Sequence, residues 1–108
     1  MGTSNSTHRV VFIDTGLRDL VPRFLKNKRS DIVGALSAIE LGEFDRASEV
    51  GHQLKGEGGS YGFSTITDLG REFEEAALSR NRARALEWGR EILDYLDTVQ
   101  IRFKDDAD

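Results

Sequence analysis

Cysteine is absent from the 108 residues. Its absence excludes a disulfide framework and a thiolate metal site, and it fits a reducing compartment. No apolar run approaches the roughly 20 residues that a membrane-crossing helix needs. The stretch Met1 to His8 lacks the charged and apolar blocks of a signal peptide. Positive charge is in the minority, with 15 Lys and Arg against 19 Asp and Glu and a net charge of -4. Nucleic-acid binding is therefore not favoured. The basic clusters (Arg23, Lys26, Lys28, Arg29 and Arg80, Arg82, Arg84) do not alternate with aromatics as a single-strand binder would, and read as solvated helix ends and a loop. Histidine is scarce too, at two residues, and proline occurs once.

What is present is helical periodicity. Length and composition indicate one domain, large enough to bury a core without staples. Pro22 suits the first turn of a helix, where its missing N–H does no harm. Phe24, Leu25, Ile32, Leu36 and Ile39 follow at helical spacing, and Gly42 reads as a C-cap, so a first long helix is predicted over 22–41. A second runs over 44–62. Ser64 is the predicted N-cap of a third, with Ile66, Leu69, Phe73, Ala76 and Ala77 as its apolar stripe. After a polar loop at Asn81, a fourth is predicted over 82–103, carrying Leu86, Trp88, Ile92, Leu93, Tyr95, Leu96, Val99 and Phe103. The expected fold is all-α, an antiparallel up-down four-helix bundle. The lead segment 1–16 is expected to be flexible or extended. Within it Val10 to Ile13 is β-prone but isolated, so it is predicted to lie against the bundle unpaired. A short lead helix is expected over 17–21, the bundle over 17–103, and an acidic tail over 104–108.

The second helix holds the chemistry. Val50 to Phe63 contains His52 and five glycines, at 51, 56, 58, 59 and 62. With side chains about 100° apart, Phe44, Ala47, Leu54 and Tyr61 share one side, with Val50 at its edge. His52 points away from that stripe. Asp45, Ser48, Gly56 and Gly59 project within roughly 40° of it by the same geometry, and Lys55 stands one turn above. Each interior helical glycine costs about 1 kcal/mol relative to alanine. Small residues around an exposed imidazole let another protein surface come close, and Lys55 supplies positive charge there. Gly58 lies nearer the core side and reads as a packing residue.

His52-Gln53-Leu54-Lys55-Gly56 resembles the H-x-L-K-G signature of histidine-containing phosphotransfer (HPt) domains. The resemblance extends to Asp19–Leu25, to the junction Leu41-Gly42-Glu43-Phe44, to Tyr61-Gly62-Phe63 and to Leu69–Ala77, and covers about residues 17–103. Gly51 stands where the family usually has alanine, and Glu57 where a small residue is common. The resemblance implies a phosphorelay intermediate: His52 as phosphoacceptor, taking a phosphoryl group from a receiver-domain aspartate and passing it to another receiver or back. Lys55 would offset the transferred charge, while Ser48, Gly56 and Gly59 would form the docking surface. Phe63 would either join that surface or be buried under the turn into the third helix. The implied partners are response-regulator receiver domains or a hybrid histidine kinase, met by a cytoplasmic monomer. No cofactor is expected on this chain; Mg²⁺ is expected on the partner receiver. There is no ATP-binding loop or kinase motif, so the chain is a carrier rather than an enzyme.

Two other patterns weigh less. Glu49-x-x-His52 matches half of a di-iron pattern, but the second half is missing, and no metal site is expected. Glu72, Glu74 and Glu75 read as a solvated helix face. The rival functional reading is an adaptor bundle that binds a partner without phosphorylation, in which His52 is replaceable.

Overall fold

The computed structural model describes residues 9–104. Four helices carry the fold: α1 (Val21–Glu40), α2 (Phe44–Ser60), α3 (Ser64–Leu78) and α4 (Arg82–Thr98). Pro22 lies in the first turn of α1. The first three helices end in the same way. Glu43 N–H donates to Ala38 C=O and Gly42 N–H to Ile39 C=O; Phe63 and Gly62 repeat this on Gly58 and Gly59; Asn81 and Arg80 repeat it on Ala76 and Ala77. These paired reversed bonds close a helix and require a left-handed residue just after its cap. Gly42 (φ 80°), Gly62 (φ 88°) and Arg80 (φ 55°) fill that position. Only three residues then separate each helix from the next.

Cross-helix contacts fix the directions. Along α2 and α3, Gly51 meets Glu74, Leu54 meets Gly70 and Gly58 meets Thr67, in opposite chain order. Phe24 stacks on Tyr61 at 4.1 Å, while Lys28 pairs with Glu57, which sets α1 against α2 in the same sense. Arg29 with Asp97 and Glu40 with Arg82 do so for α1 and α4. Each of these pairs is antiparallel, and α3 and α4 follow by consistency. The centre is filled by Ile32, Ile39, Leu54, Phe63, Ile66, Phe73 and Ile92, all at most 1% exposed.

The predicted helix limits hold to within two residues for the first two helices, but not for the fourth. α4 stops at Thr98, and Val99 adopts an extended backbone (φ -65°, ψ 136°). Two strands follow from this: β1 (Val10–Ile13) and β2 (Gln100–Phe103) pair in parallel, from Val10 opposite Gln100 to Ile13 opposite Phe103. The β-prone lead segment is therefore not unpaired. In the sequence its partner is masked because Val99 and Phe103 continue the helical spacing of α4; in the fold Ile101 and Phe103 are half-buried in alternation with exposed Gln100 and Arg102. Arg9 ties this pair to α4 through Asp94 (3.0 Å) and Thr98 (3.1 Å). The predicted helix over 17–21 is instead a 3₁₀ turn at Thr15–Leu17, capped by Asp14, whose carboxylate accepts from Gly16 N–H. Ser64 is not a cap but the first residue of α3, and Phe63 holds the cap position without a side-chain bond. The expectations for residues 1–8 and for most of the acidic tail, 105–108, lie outside the described residues.

Candidate functional site

His52 lies on the outer face of α2 with its side chain 69% exposed. Its Nδ1 is 3.1 Å from Glu74 Oε2 on α3. The other oxygen of the same carboxylate, Oε1, is 3.0 Å from Lys55 Nζ. Glu74 is only 14% exposed, so it joins the two α2 residues from underneath. Partial burial by itself would push the Glu74 carboxyl up. The bonds from Lys55 and His52 outweigh it and hold the group below the usual carboxylate range. An ionised carboxylate only accepts hydrogen bonds, so Nδ1 carries the imidazole proton. The lone pair of the neutral ring is then on Nε2.

Glycine packing makes this reach possible. A Cβ on Gly51 would stand 2.9 Å from both Glu74 Cα and Glu74 N. A Cβ on Gly58 would stand 2.8 Å from Thr67 N, and one on Gly70 2.8 Å from Lys55 N. The backbones of α2 and α3 therefore approach closely along the seam, where Thr67 Oγ1 also donates to Lys55 C=O. Gly51, standing where the family usually has alanine, is thus a seam contact.

The predicted site residues separate into two groups. Gly56 and Gly59 are exposed; a Cβ on Gly56 would meet nothing within 4 Å, and one on Gly59 only Thr67 Oγ1 at 3.7 Å. They form a low, open surface one and two turns beyond His52. Ser48 differs from the expectation. It is 8% exposed, and its hydroxyl donates to Asp45 C=O in the preceding turn. It lines a recess with Glu49, His52, Gln53 and Glu74. Phe63 is not a docking residue at all: it is fully buried, its ring 5.8 Å from that of Phe24. The reversal at Gly62 takes the chain off the face of α2, so Phe63 folds under the turn. Glu57 points to α1, where it pairs with the nearly buried Lys28, itself 3.2 Å from Asp31. Burial opposes the charge on Lys28, and Glu57 and Asp31 overcome this and hold its ammonium above the ordinary lysine value. Glu57 is thereby held away from His52.

Glu74 is the residue that sequence reasoning missed, taken with Glu72 and Glu75 for a solvated face. The available signal was the small residues: Gly51 beside the histidine and Gly70 one turn before the glutamate bring the two helices together. Among the described residues, no group of three or more His, Cys, Asp or Glu is placed to hold a metal ion, and no helix is long and apolar enough to cross a membrane. His8 lies outside the described residues. The site thus offers one exposed nucleophilic nitrogen with its tautomer fixed, an adjacent ammonium and an uncrowded approach. The family model of the Hpt domain matches residues 19–102. No curated protein and no solved structure gives a significant match.

Proposed function

From the premise that the chain belongs to the Hpt domain family, we propose that His52 is its phosphoacceptor and that the protein relays phosphoryl groups between receiver domains. Hpt domains transfer phosphoryl groups between histidine kinases and response regulators, and they carry the group without kinase activity of their own. The observation that carries the residue-level reading is the exposed imidazole of His52 with Nδ1 engaged by Glu74, which leaves Nε2 as the attacking atom.

In this proposal Nε2 attacks the phosphorus of a receiver's aspartyl phosphate. The N–P bond forms, the P–O bond breaks, and its electron pair returns to the aspartate carboxylate. Neutral imidazole needs no base to become a nucleophile. Lys55 offsets the charge of the arriving group with the remaining donors of its ammonium while keeping its contact with Glu74. Gly56 and Gly59 are the floor on which the receiver sits. Positioning is this chain's contribution, and the Mg²⁺ expected on the receiver belongs to the partner. The encounter is transient, near or below about 1,200 Å² in total, and is made by a monomer in the cytoplasm.

Intact mass after mixing the protein with pre-phosphorylated receiver domains and Mg²⁺ tests the reading. Gain of one acid-labile phosphoryl group, absent in His52→Gln, is the expected result. No gain from any receiver, with the fold intact by circular dichroism, would favour the adaptor reading instead. Lys55→Ala is expected to slow transfer without unfolding the domain.

A further inference from the structure

We infer that Glu74 keeps the Nδ1 proton on the imidazole while His52 carries the phosphoryl group, so that the phosphorylated ring is held in its easily released imidazolium form. This rests on His52 as the phosphoacceptor and adds what happens to the proton.

When Nε2 takes the phosphoryl group, no proton moves. The ring becomes a phosphoimidazolium, with the new N–P bond on one nitrogen and the original N–H on the other. Loss of that N–H would leave the Nδ1 lone pair 3.1 Å from a carboxylate oxygen, acceptor against acceptor. Glu74 cannot relieve the clash by becoming the donor, because the Lys55 bond at 3.0 Å, together with the His52 bond, keeps its carboxyl ionised. The charged groups around the ring are Glu74 from α3, Lys55 from α2, and Glu49 from α2, which lines the same recess. Glu49 acts in the same direction as Glu74. Lys55 opposes them, but its bond to the second oxygen of Glu74 also keeps that carboxylate charged.

The chemical form decides how readily the group leaves. Departure from the imidazolium returns the electron pair to Nε2 and releases a neutral imidazole. Departure from the deprotonated ring must release an imidazolate, a far poorer leaving group. Both the loading and the unloading step are then proton-neutral on this chain, since the N–H stays in place throughout. Glu74 acts here as a positioning residue that makes phospho-His52 a ready donor with a short life.

The experiment loads the whole chain chemically with phosphoramidate, which needs no receiver. Nitrogen-15 NMR then reports the protonation of Nδ1, and phosphorus NMR follows loss of the phosphoryl group from pH 6 to 9. In the wild type, Nδ1 is expected to stay protonated at pH 8, with a lifetime that changes little from pH 6 to 8. In Glu74→Gln, Nδ1 is expected to be deprotonated at pH 8 and the lifetime at least about tenfold longer there, the smallest effect expected for removing an opposite charge at this range. An unprotonated Nδ1 in the loaded wild type at pH 8 overturns the inference without reference to any variant. An unchanged lifetime in a folded Glu74→Gln overturns it as well. If loaded His52 behaves as expected but no receiver loads it, the relay reading falls and the role of Glu74 stands. If phosphoramidate modifies free histidine but not His52, both fall.

Discussion

Gly51 and Gly58 differ from Gly56 and Gly59, in the same helix, by what lies opposite them. The first pair faces α3, and a Cβ at either would collide with backbone atoms at 2.8 to 2.9 Å. The second pair faces outward, with nothing nearer than 3.7 Å. By helix propensity alone each costs about 1 kcal/mol relative to alanine, a cost that the collision of an added Cβ outweighs at Gly51 and Gly58, so the same residue type answers two demands. The seam glycines let a glutamate on α3 reach an imidazole on α2. The outer glycines keep the surface beside that imidazole low. Orientation of the nucleophile and access to it are thus handled by the same residue type on two sides of one helix.

The sharpest way to break this comparison is Gly51→Val. Its Cβ meets the Glu74 backbone, which cannot rotate aside as a side chain could. Destabilisation of about 1–3 kcal/mol is expected, with loss of the His52–Glu74 bond, checked by urea unfolding and by the imidazole nitrogen shifts. Gly56→Ala should do the opposite, gaining up to about 1 kcal/mol with phosphoramidate loading unchanged. Equal destabilisation by the two would erase the distinction between seam and face. Gly59→Leu sharpens it differently: the fold and chemical loading should persist while transfer from receiver domains drops several-fold. Normal transfer by this variant would remove the outer glycines from the docking surface.

Acid provides a further probe of the seam. The Glu74 carboxyl is lower in the folded protein than its usual value, so its contribution to stability is present above the ordinary glutamate range. That contribution is lost as pH falls through the lowered value. The stability gap between wild type and Glu74→Gln, measured by urea midpoints, should therefore be widest near neutrality and shrink in acid. A gap independent of pH would mean that Glu74 contributes packing alone.

The exposure of His52 was legible because the direction of a side chain from its own helix follows from 3.6-residue geometry and needs no neighbour. Glu74 was not legible by that route. Its importance lies in how near α3 comes to α2, which depends on glycines in both helices. Ser48 departs from its expectation for the same reason: it projects close to His52 on α2, yet it is buried, which the geometry of α2 alone does not show. The β1–β2 pair required a partner some ninety residues away for a strand of four, while the local spacing of β2 also fitted a helix. What one helix determines by itself could be read from the chain. What two elements determine by their approach needed the fold.

The smallest expected effect concerns a place where glycine is missing. Gly42 and Gly62 close α1 and α2, and the matching position after α3 is Arg80, with φ at 55°. The left-handed conformation costs a residue bearing a Cβ about 1–2 kcal/mol. Two contacts return part of it. Arg80 lies 3.3 Å from Asp45, but both side chains are more than half exposed, and such a pair contributes little. Its guanidinium also sits 5.8 Å from the centroid of the Phe44 ring, worth about 0.5–1 kcal/mol at an exposed site. Glycine's greater freedom in the unfolded chain subtracts a little more. Arg80→Gly is therefore expected to raise stability by only a few tenths of a kcal/mol, read as a small upward shift in the urea midpoint. A fall in the midpoint would mean that the contacts outweigh the strain. Arg80 would then tie the α3–α4 turn to the first turn of α2, holding from its far end the helix that carries His52.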